Sequence, residues 1–203
     1  MENKIAKFIS LIFHPLLLPT YALTLIFSTD YYFVPVLPDD YKFLLIGFVF
    51  ITSFILPVIM MLLLLKAKMI NSLQMETQNE RVLPLLIVAG FFFGIFYFLR
   101  ESPQIANFNI FLLGSTVLVL ISLVLNYFTK ISIHMIAHGG LSGTFIGLAL
   151  TYNQDIRLII YCILLIAGLT AFARLKLKAH SQFQVYSGFL IGCVFMLCLF
   201  LFV

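Results

Sequence analysis

Seven long runs of sequence without a charged residue decide what this chain can fold into. Each run has at least 16 residues and contains no Asp, Glu, Lys or Arg. About 20 helical residues cross a hydrocarbon layer of about 30 Å. A transmembrane barrel would instead show short segments of alternating hydrophobicity. The sequence therefore predicts an all-α, polytopic transmembrane helical bundle of six or seven spans, forming one integral membrane domain over residues 1–203.

The composition agrees, since 63% of the residues are hydrophobic and only 10% are charged, which lies outside the range of soluble domains. The first span contains Pro15 and Pro19, and proline removes a backbone donor within a helix. We therefore expect His14-Pro15 and Pro19 to kink this span or to make it partly interfacial, and His14 to be a satisfied interior or headgroup-level histidine. We place the spans at about 5–27, 43–65, 82–99, 105–128, 131–152, 158–173 and 185–203.

Small residues mark one face of the fifth span. Gly139, Gly143 and Gly147 recur every four residues, so another helix can approach this face closely. The three cysteines all lie inside apolar runs, and we interpret them as packing residues rather than as disulfide partners or metal ligands.

The positive charges are unequally divided between the two membrane faces. With seven crossings, nine of the twelve Lys and Arg residues fall on the face that carries the amino terminus. Because cytoplasmic loops are enriched in Lys and Arg, this predicts a cytoplasmic amino terminus and a multi-pass protein of the bacterial inner membrane. The net charge of +4 is no signal for nucleic acid. The nine residues are Lys4, Lys7, Lys66, Lys68, Arg81, Lys130, Arg174, Lys176 and Lys178.

Three basic segments on this face suit the chemistry of phosphoryl transfer. They carry Arg81, then Lys130 with His134, then Arg174 with His180. In that chemistry guanidinium groups hold phosphate oxygens, one histidine attacks phosphorus, and a second protonates the leaving oxygen. The scheme requires no metal, and we expect no cofactor.

His134 and His138 have a spacing that also suits two zinc ligands. They lie four residues apart and share one helix face, but no third ligand is evident on the basic face. We therefore expect no metal site and a packed, hydrogen-bonded His138.

In this order the segments resemble the type 2 phosphatidic acid phosphatase family of integral membrane lipid phosphatases, across about residues 74–184. The family pattern is Lys, six residues, Arg-Pro; then Pro-Ser-Gly-His; then Ser-Arg, five residues, His, three residues, Asp. The matching stretches here are Gln74, six residues, Arg81-Val82; Ile131-Ser132-Ile133-His134; and Ala173-Arg174, five residues, His180, three residues, Gln184.

The resemblance implies that His180 is the nucleophile and forms a phosphohistidine, and that His134 is the general acid. It also implies that Arg81 and Arg174 bind the substrate phosphate, with Lys130 as a further phosphate ligand and Ser132 in a supporting position. Gln184 replaces the family's Asp, and a neutral amide can hold a ring nitrogen but cannot stabilise an imidazolium. Glu80 or Glu76 could supply a substitute carboxylate. Enzymes of this family usually act at the outer face, which conflicts with the distribution of Lys and Arg.

Several functions stay open at this point. The first is a membrane lipid phosphatase or phosphotransferase that acts on a phospholipid or polyprenyl phosphate. The alternative is a catalytically inactive member of that family that binds phospholipid or serves as a membrane partner subunit. The expected partner is a membrane lipid or lipid phosphate, and a homo-oligomer stays open. A transporter is a third class, but the matching interrupted helices of that class are not evident.

Overall fold

The computed structural model describes residues 2–29, 37–73, 75 and 77–202 of the 203-residue chain. These described residues form helices and turns, with no β-strand among them. Seven helical segments are long and apolar enough to cross a membrane, which confirms the prediction of an all-α, multi-pass membrane protein. They cover Glu2–Phe27, Asp39–Lys66, Gln78–Leu99, Pro103–Asn126, Ile133–Thr151, Arg157–Lys176 and Gln182–Phe202.

The helices group into two compact units. His134, Arg174 and His180 belong to the first unit, and Arg81 and Lys130 belong to the second. The first unit contains α1 (Glu2–Ile12), α7 (Ile133–Thr151), α8 (Arg157–Lys176) and α9 (Gln182–Phe202). The second contains α2 (Leu18–Phe27) from its second residue onward, α3 (Asp39–Phe50), α4 (Leu56–Lys66), α5 (Gln78–Leu99) and α6 (Ala106–Asn126).

The first span is broken at His14 and Pro15, which confirms the predicted kink. A short 3-10 turn covers Pro15–Leu17 between α1 and α2. Pro15 has no N–H with which to continue the helix, and it occupies the first position of the turn, where none is required. The N–H of Leu17 bonds to the carbonyl of His14 at 2.9 Å, whereas an uninterrupted helix would direct it to Phe13. The Phe13 carbonyl can therefore accept a hydrogen bond from outside its own helix.

The second span also departs from a regular α-helix, at the stretch Ile51–Ile55 between α3 and α4. This stretch is π-helical and lies directly before Pro57, in the first turn of α4. Proline cannot donate to the carbonyl four residues earlier, so one α-helical hydrogen bond is missing at this point. The N–H of Leu56 bonds instead to the carbonyl of Ile51, and this wider turn keeps the span continuous.

In the second unit α5 and α6 form a helical hairpin, joined by a short polar link. An asparagine joins the two helices at each end. The side-chain amide of Asn109 donates to the carbonyl of Leu99, and that of Asn126 donates to the carbonyl of Gln78, both at 2.8 Å. Both asparagines are buried, and such bonds hold neighbouring helices together where water is absent.

In the first unit α7 packs against α9 along the glycine stripe. A methyl group added at Gly139 would lie 2.0 Å from a backbone carbonyl oxygen of α9, and one added at Gly143 would lie 2.2 Å from another. One added at Gly192, on α9, would lie 2.0 Å from a carbonyl oxygen of α7. These distances leave no room for any other residue. The predicted close approach is confirmed, and α9 is the helix that makes it.

Helix α1 packs against α8 in the same unit, through small residues and one ion pair. Ala6 on α1 and Ala173 on α8 are both fully buried. At the outer end of this pair Lys176 forms an ion pair with Glu2. Both charged side chains are exposed, so the ion pair contributes little to stability and mainly marks where the two helices reach water.

Candidate functional site

The cationic segment begins at a helix end that follows the Schellman pattern. The N–H of Ala179 bonds to the carbonyl of Arg174 at 3.2 Å, and the N–H of Lys178 bonds to the carbonyl of Leu175 at 2.9 Å. Lys178 has a φ of 52°, a left-handed conformation that glycine adopts at less cost. The pattern closes α8 tightly and turns the chain within two residues.

Helix α9 begins immediately afterwards with a capping box. The side-chain oxygen of Gln184 accepts the N–H of Ser181 at 3.1 Å, and the hydroxyl of Ser181 accepts the N–H of Gln184 at 3.3 Å. His180 is the one residue between the two motifs, and it is buried. Its position relative to α8 is therefore fixed by a motif on either side.

Arg174 lies in the last turn of α8 and is half-buried. Its Nε–H is buried and has no hydrogen-bond acceptor, and none of the ion pairs found among the described residues includes it. A guanidinium group stays charged at any physiological pH. A charge that is partly removed from water without a counter-charge is costly. An anion would supply both an acceptor and a counter-charge.

His14 lies at the break in the first span and caps the 3-10 turn. Its Nδ1 accepts the N–H of Leu16 at 3.3 Å. A ring nitrogen that accepts a hydrogen bond cannot carry the proton, so the proton is on Nε2. The break in the helix thus fixes the tautomer and leaves Nε2–H as the donor of this side chain.

His134 and His138 lie one turn apart on α7 and face the same break. The Nε2 of His134 lies 3.3 Å from the carbonyl oxygen of Ser10, and the Nε2 of His138 lies 3.2 Å from that of Phe13. A carbonyl only accepts, so both Nε2 atoms carry the proton and both Nδ1 atoms carry a lone pair. Both carbonyls lie beside the interruption of the first span. The expectation of a packed, hydrogen-bonded His138 is confirmed.

His14, His134 and Arg174 lie close together and are called the Arg174 cluster below. The rings of His14 and His134 meet edge to face, with their centroids 5.2 Å apart. The charge of Arg174 acts electrostatically on both rings. The cluster therefore combines one cation, one N–H donor from His14 and one lone pair from His134. The cation and the N–H donor match the oxygens of a phosphate.

Two further predicted site residues in the first unit, Gln184 and Ser132, form hydrogen bonds with the backbone. The side-chain oxygen of Gln184 is part of the capping box, so it orients the start of α9. Ser132 precedes α7, its N–H donates to the carbonyl of Gln184 at 3.3 Å, and its hydroxyl is buried without a partner. These two residues connect the segments of His134 and His180 through the backbone.

Three of the predicted site residues lie in the second unit: Arg81, Glu80 and Lys130. Arg81 is buried, and its Nε donates to the carbonyl of Met75 at 3.1 Å. The carboxylate of Glu80 accepts the backbone N–H of Asn71 at 3.3 Å and also the side-chain amide of Asn71. Lys130 is half-buried. Gln74 and Glu76 lie outside the described residues.

One member of the cluster, His14, was not predicted as a site residue. Its signal in the sequence was the pair His14-Pro15, because a proline inside a span removes a backbone hydrogen bond and can interrupt the helix beside the preceding residue. The spacing of His134 and His138 was recognised, but their hydrogen-bond acceptors are backbone carbonyls of another span. Such carbonyls carry no signature in the sequence.

The described residues contain no group of three His, Cys, Asp or Glu side chains that could hold a metal ion. The cluster itself has two imidazoles and a guanidinium, and the positive charge of Arg174 disfavours a metal cation beside it.

No protein-family profile, curated protein sequence or solved structure matches this chain. The resemblance to the type 2 phosphatidic acid phosphatases thus stays a prediction that rests on its motifs.

Proposed function

We propose that this protein binds the phosphate headgroup of a membrane lipid at the Arg174 cluster. The observation that carries the proposal is the guanidinium of Arg174, which is half-buried at the end of a membrane span with no counter-charge among the described residues. A lipid phosphate brings the missing negative charge to that depth, while its tails stay in the bilayer.

The hydrogen bonds of the cluster favour binding over chemistry. A general acid must direct its proton at the leaving oxygen, but the Nε2–H of His134 already donates to Ser10. Gln184 also favours binding over chemistry, because its side-chain oxygen already accepts a hydrogen bond in the capping box. His134 and Gln184 therefore have structural roles, while the guanidinium of Arg174 and the Nε2–H of His14 can still bind a phosphate. This matches a family member that binds a lipid phosphate without turning it over.

A second candidate function is hydrolysis of the lipid phosphate, which the position of His180 favours. His180 is buried and is fixed beside α8 by the Schellman pattern and the capping box. In this reaction a ring nitrogen of His180 attacks phosphorus, the bond from phosphorus to the lipid oxygen breaks, and that oxygen takes a proton from a protonated His134. Water then attacks the phosphohistidine, which releases phosphate and restores His180.

The proposed setting is the bacterial inner membrane with the amino terminus in the cytoplasm. Its support is the excess of Lys and Arg on the amino-terminal face. On this orientation the Arg174 cluster lies toward the cytoplasmic leaflet, where anionic lipids are abundant.

The test uses the purified full chain in nanodiscs. Phosphatidic acid with short acyl chains is titrated in, with zwitterionic phosphatidylcholine as the comparison that has no net charge, and phosphate release is measured in parallel. We expect saturable binding of phosphatidic acid, which Arg174→Gln removes. Arg157→Gln is the matched control, because Arg157 lies at the opposite end of α8 and is exposed and paired with Asp155.

The two functions give different outcomes. Binding without phosphate release supports the headgroup-binding function, while release that disappears in His180→Ala supports the phosphatase. A wild-type protein that binds phosphatidic acid no better than phosphatidylcholine contradicts both.

A further inference from the structure

We propose that the hydroxyl groups of Ser10 and Thr170 are two further ligands of the headgroup, so that the first span forms one wall of the site. This inference rests on the proposed headgroup-binding function and adds residues that the family resemblance does not include. It starts from an unusual property of these two hydroxyl groups.

Most serines and threonines within the described helices hydrogen-bond back to their own helix. Seven of them donate to the carbonyl four residues earlier: Thr24, Thr52, Thr116, Ser122, Ser142, Thr144 and Ser187. This bond is the default for a hydroxyl in an apolar surrounding, because it needs no partner from elsewhere. A buried hydroxyl that does not make it requires an explanation.

Ser10 and Thr170 are buried and do not make this bond. Ser10 is 8% exposed and Thr170 is fully buried, and neither side-chain oxygen has a hydrogen-bond partner among the described residues. Thr20, in the second unit, shares this property. The other two lie in the first unit, on the packed pair α1 and α8.

Both hydroxyl groups belong to the surroundings of Arg174. Thr170 lies four residues before Arg174 on α8, so it faces the same side about 6 Å deeper in the span. Ser10 lies on α1, and its carbonyl meets the Nε2 of His134, whose ring is under the influence of Arg174. The Nε–H of Arg174 is itself buried without an acceptor. Three polar groups without partners thus lie on two neighbouring helices.

These three groups share a chemical property: each can donate a hydrogen bond. Donors alone cannot satisfy one another unless one hydroxyl turns to accept, and the guanidinium cannot accept at all. An anion with several acceptor oxygens satisfies all three at once. With the Nε2–H of His14, the site offers four donors from three segments, which suits the tetrahedral oxygens of a phosphate.

The experiment compares two hydroxyl deletions with two controls in nanodiscs. The variants are Thr170→Val, which keeps the shape of the side chain, and Ser10→Ala. The controls are Thr144→Val and Ser142→Ala, which remove buried hydroxyls of α7 that are bonded to their own helix. The probe is short-chain phosphatidic acid, and the melting temperature without this lipid is measured for each protein.

We expect phosphatidic acid to bind Thr170→Val and Ser10→Ala about tenfold more weakly than the wild type, since each loses a hydrogen bond to a charged group. Without lipid their melting temperatures stay equal or rise, because an unsatisfied buried hydroxyl has been removed. The controls bind normally and melt no higher than the wild type. Weaker lipid binding without a lower melting temperature identifies the hydroxyl as a ligand of the headgroup rather than as a packing group.

The results distinguish a failure of this inference from a failure of the proposed function. If Arg174→Gln loses binding while Thr170→Val and Ser10→Ala bind like the wild type, the two hydroxyls are not ligands and the proposed function remains. If the wild type does not bind phosphatidic acid, the proposed function is wrong and this inference fails with it. Should Ser10→Ala not fold, the shape-conserving Thr170→Val alone decides the result.

Discussion

The connections α4–α5 and α8–α9 use the same two helix-end patterns but differ in how they treat the arginine beside them. Helix α4 ends like α8, with the N–H of Met69 bonded to Leu64 and a left-handed lysine, Lys68. Helix α5 begins like α9, with the hydroxyl of Thr77 accepting the N–H of the residue three positions later. The local patterns are shared by the two units.

The difference lies in the length of chain between the two patterns. In α8–α9 only His180 separates them, so there is no loop that could supply partners for Arg174. In α4–α5 a longer link intervenes, and Arg81 donates to its backbone at Met75. The longer connection thus supplies a backbone acceptor for the Nε–H of Arg81, whereas the described residues supply none for the Nε–H of Arg174.

The largest expected effect comes from replacing each arginine by glutamine. Arg174→Gln should weaken binding of phosphatidic acid roughly 30- to 100-fold, because charge-assisted hydrogen bonds are lost, and leave the melting temperature unchanged or higher. Arg81→Gln should cost about 1–3 kcal/mol of stability, because it disturbs a buried donor that satisfies a carbonyl, and leave binding intact. Titration and thermal unfolding in detergent measure the two effects.

One result would contradict this comparison of Arg81 with Arg174. If Arg81→Gln loses binding as strongly as Arg174→Gln does, the distinction drawn between the two arginines is wrong. The bond from Arg81 to Met75 would then be secondary.

A smaller effect is expected from the two capping residues. Ser181→Ala and Thr77→Ala should each cost about 1 kcal/mol of stability, since each removes the side-chain acceptor at a helix start. Only Ser181→Ala should also weaken lipid binding, because the cap it breaks adjoins His180 and Arg174. Equal loss of binding in both variants would show that the effect comes from general destabilisation.

The smallest effect is expected at the left-handed lysines. Lys178→Gly and Lys68→Gly should each stabilise the protein by a few tenths of a kcal/mol to about 1 kcal/mol, because glycine adopts a positive φ without steric strain. The denaturant concentration at the midpoint of unfolding measures this change in stability. If Lys178→Gly lowers binding while Lys68→Gly has no effect on it, the Lys178 side chain contributes to the site through its charge.

The spans, the break at Pro15 and the glycine contact of α7 were predictable from the sequence because each depends on local chemistry. Long apolar runs, a missing backbone donor and a missing side chain leave a visible pattern. The capping box was also visible as Ser181 followed three residues later by Gln184, although Gln184 was interpreted only through the family motif.

The composition of the Arg174 cluster was only partly predictable. Arg174 and His134 stood out by residue type, but the contribution of α1 did not. It depends on which helix packs against α8 and on carbonyls that become acceptors only when the first span breaks. The same holds for Arg81, whose partner at Met75 is a backbone atom. No side-chain pattern reports either contact.

The contact between α7 and α9 has a consequence for how a lipid reaches the site. Where a single methyl group at Gly139 or Gly192 has no room, a fatty-acyl or prenyl chain has no passage either. The boundary between these two helices is therefore a closed side of the first unit. A lipid that binds at Arg174, as proposed, therefore does not enter between α7 and α9.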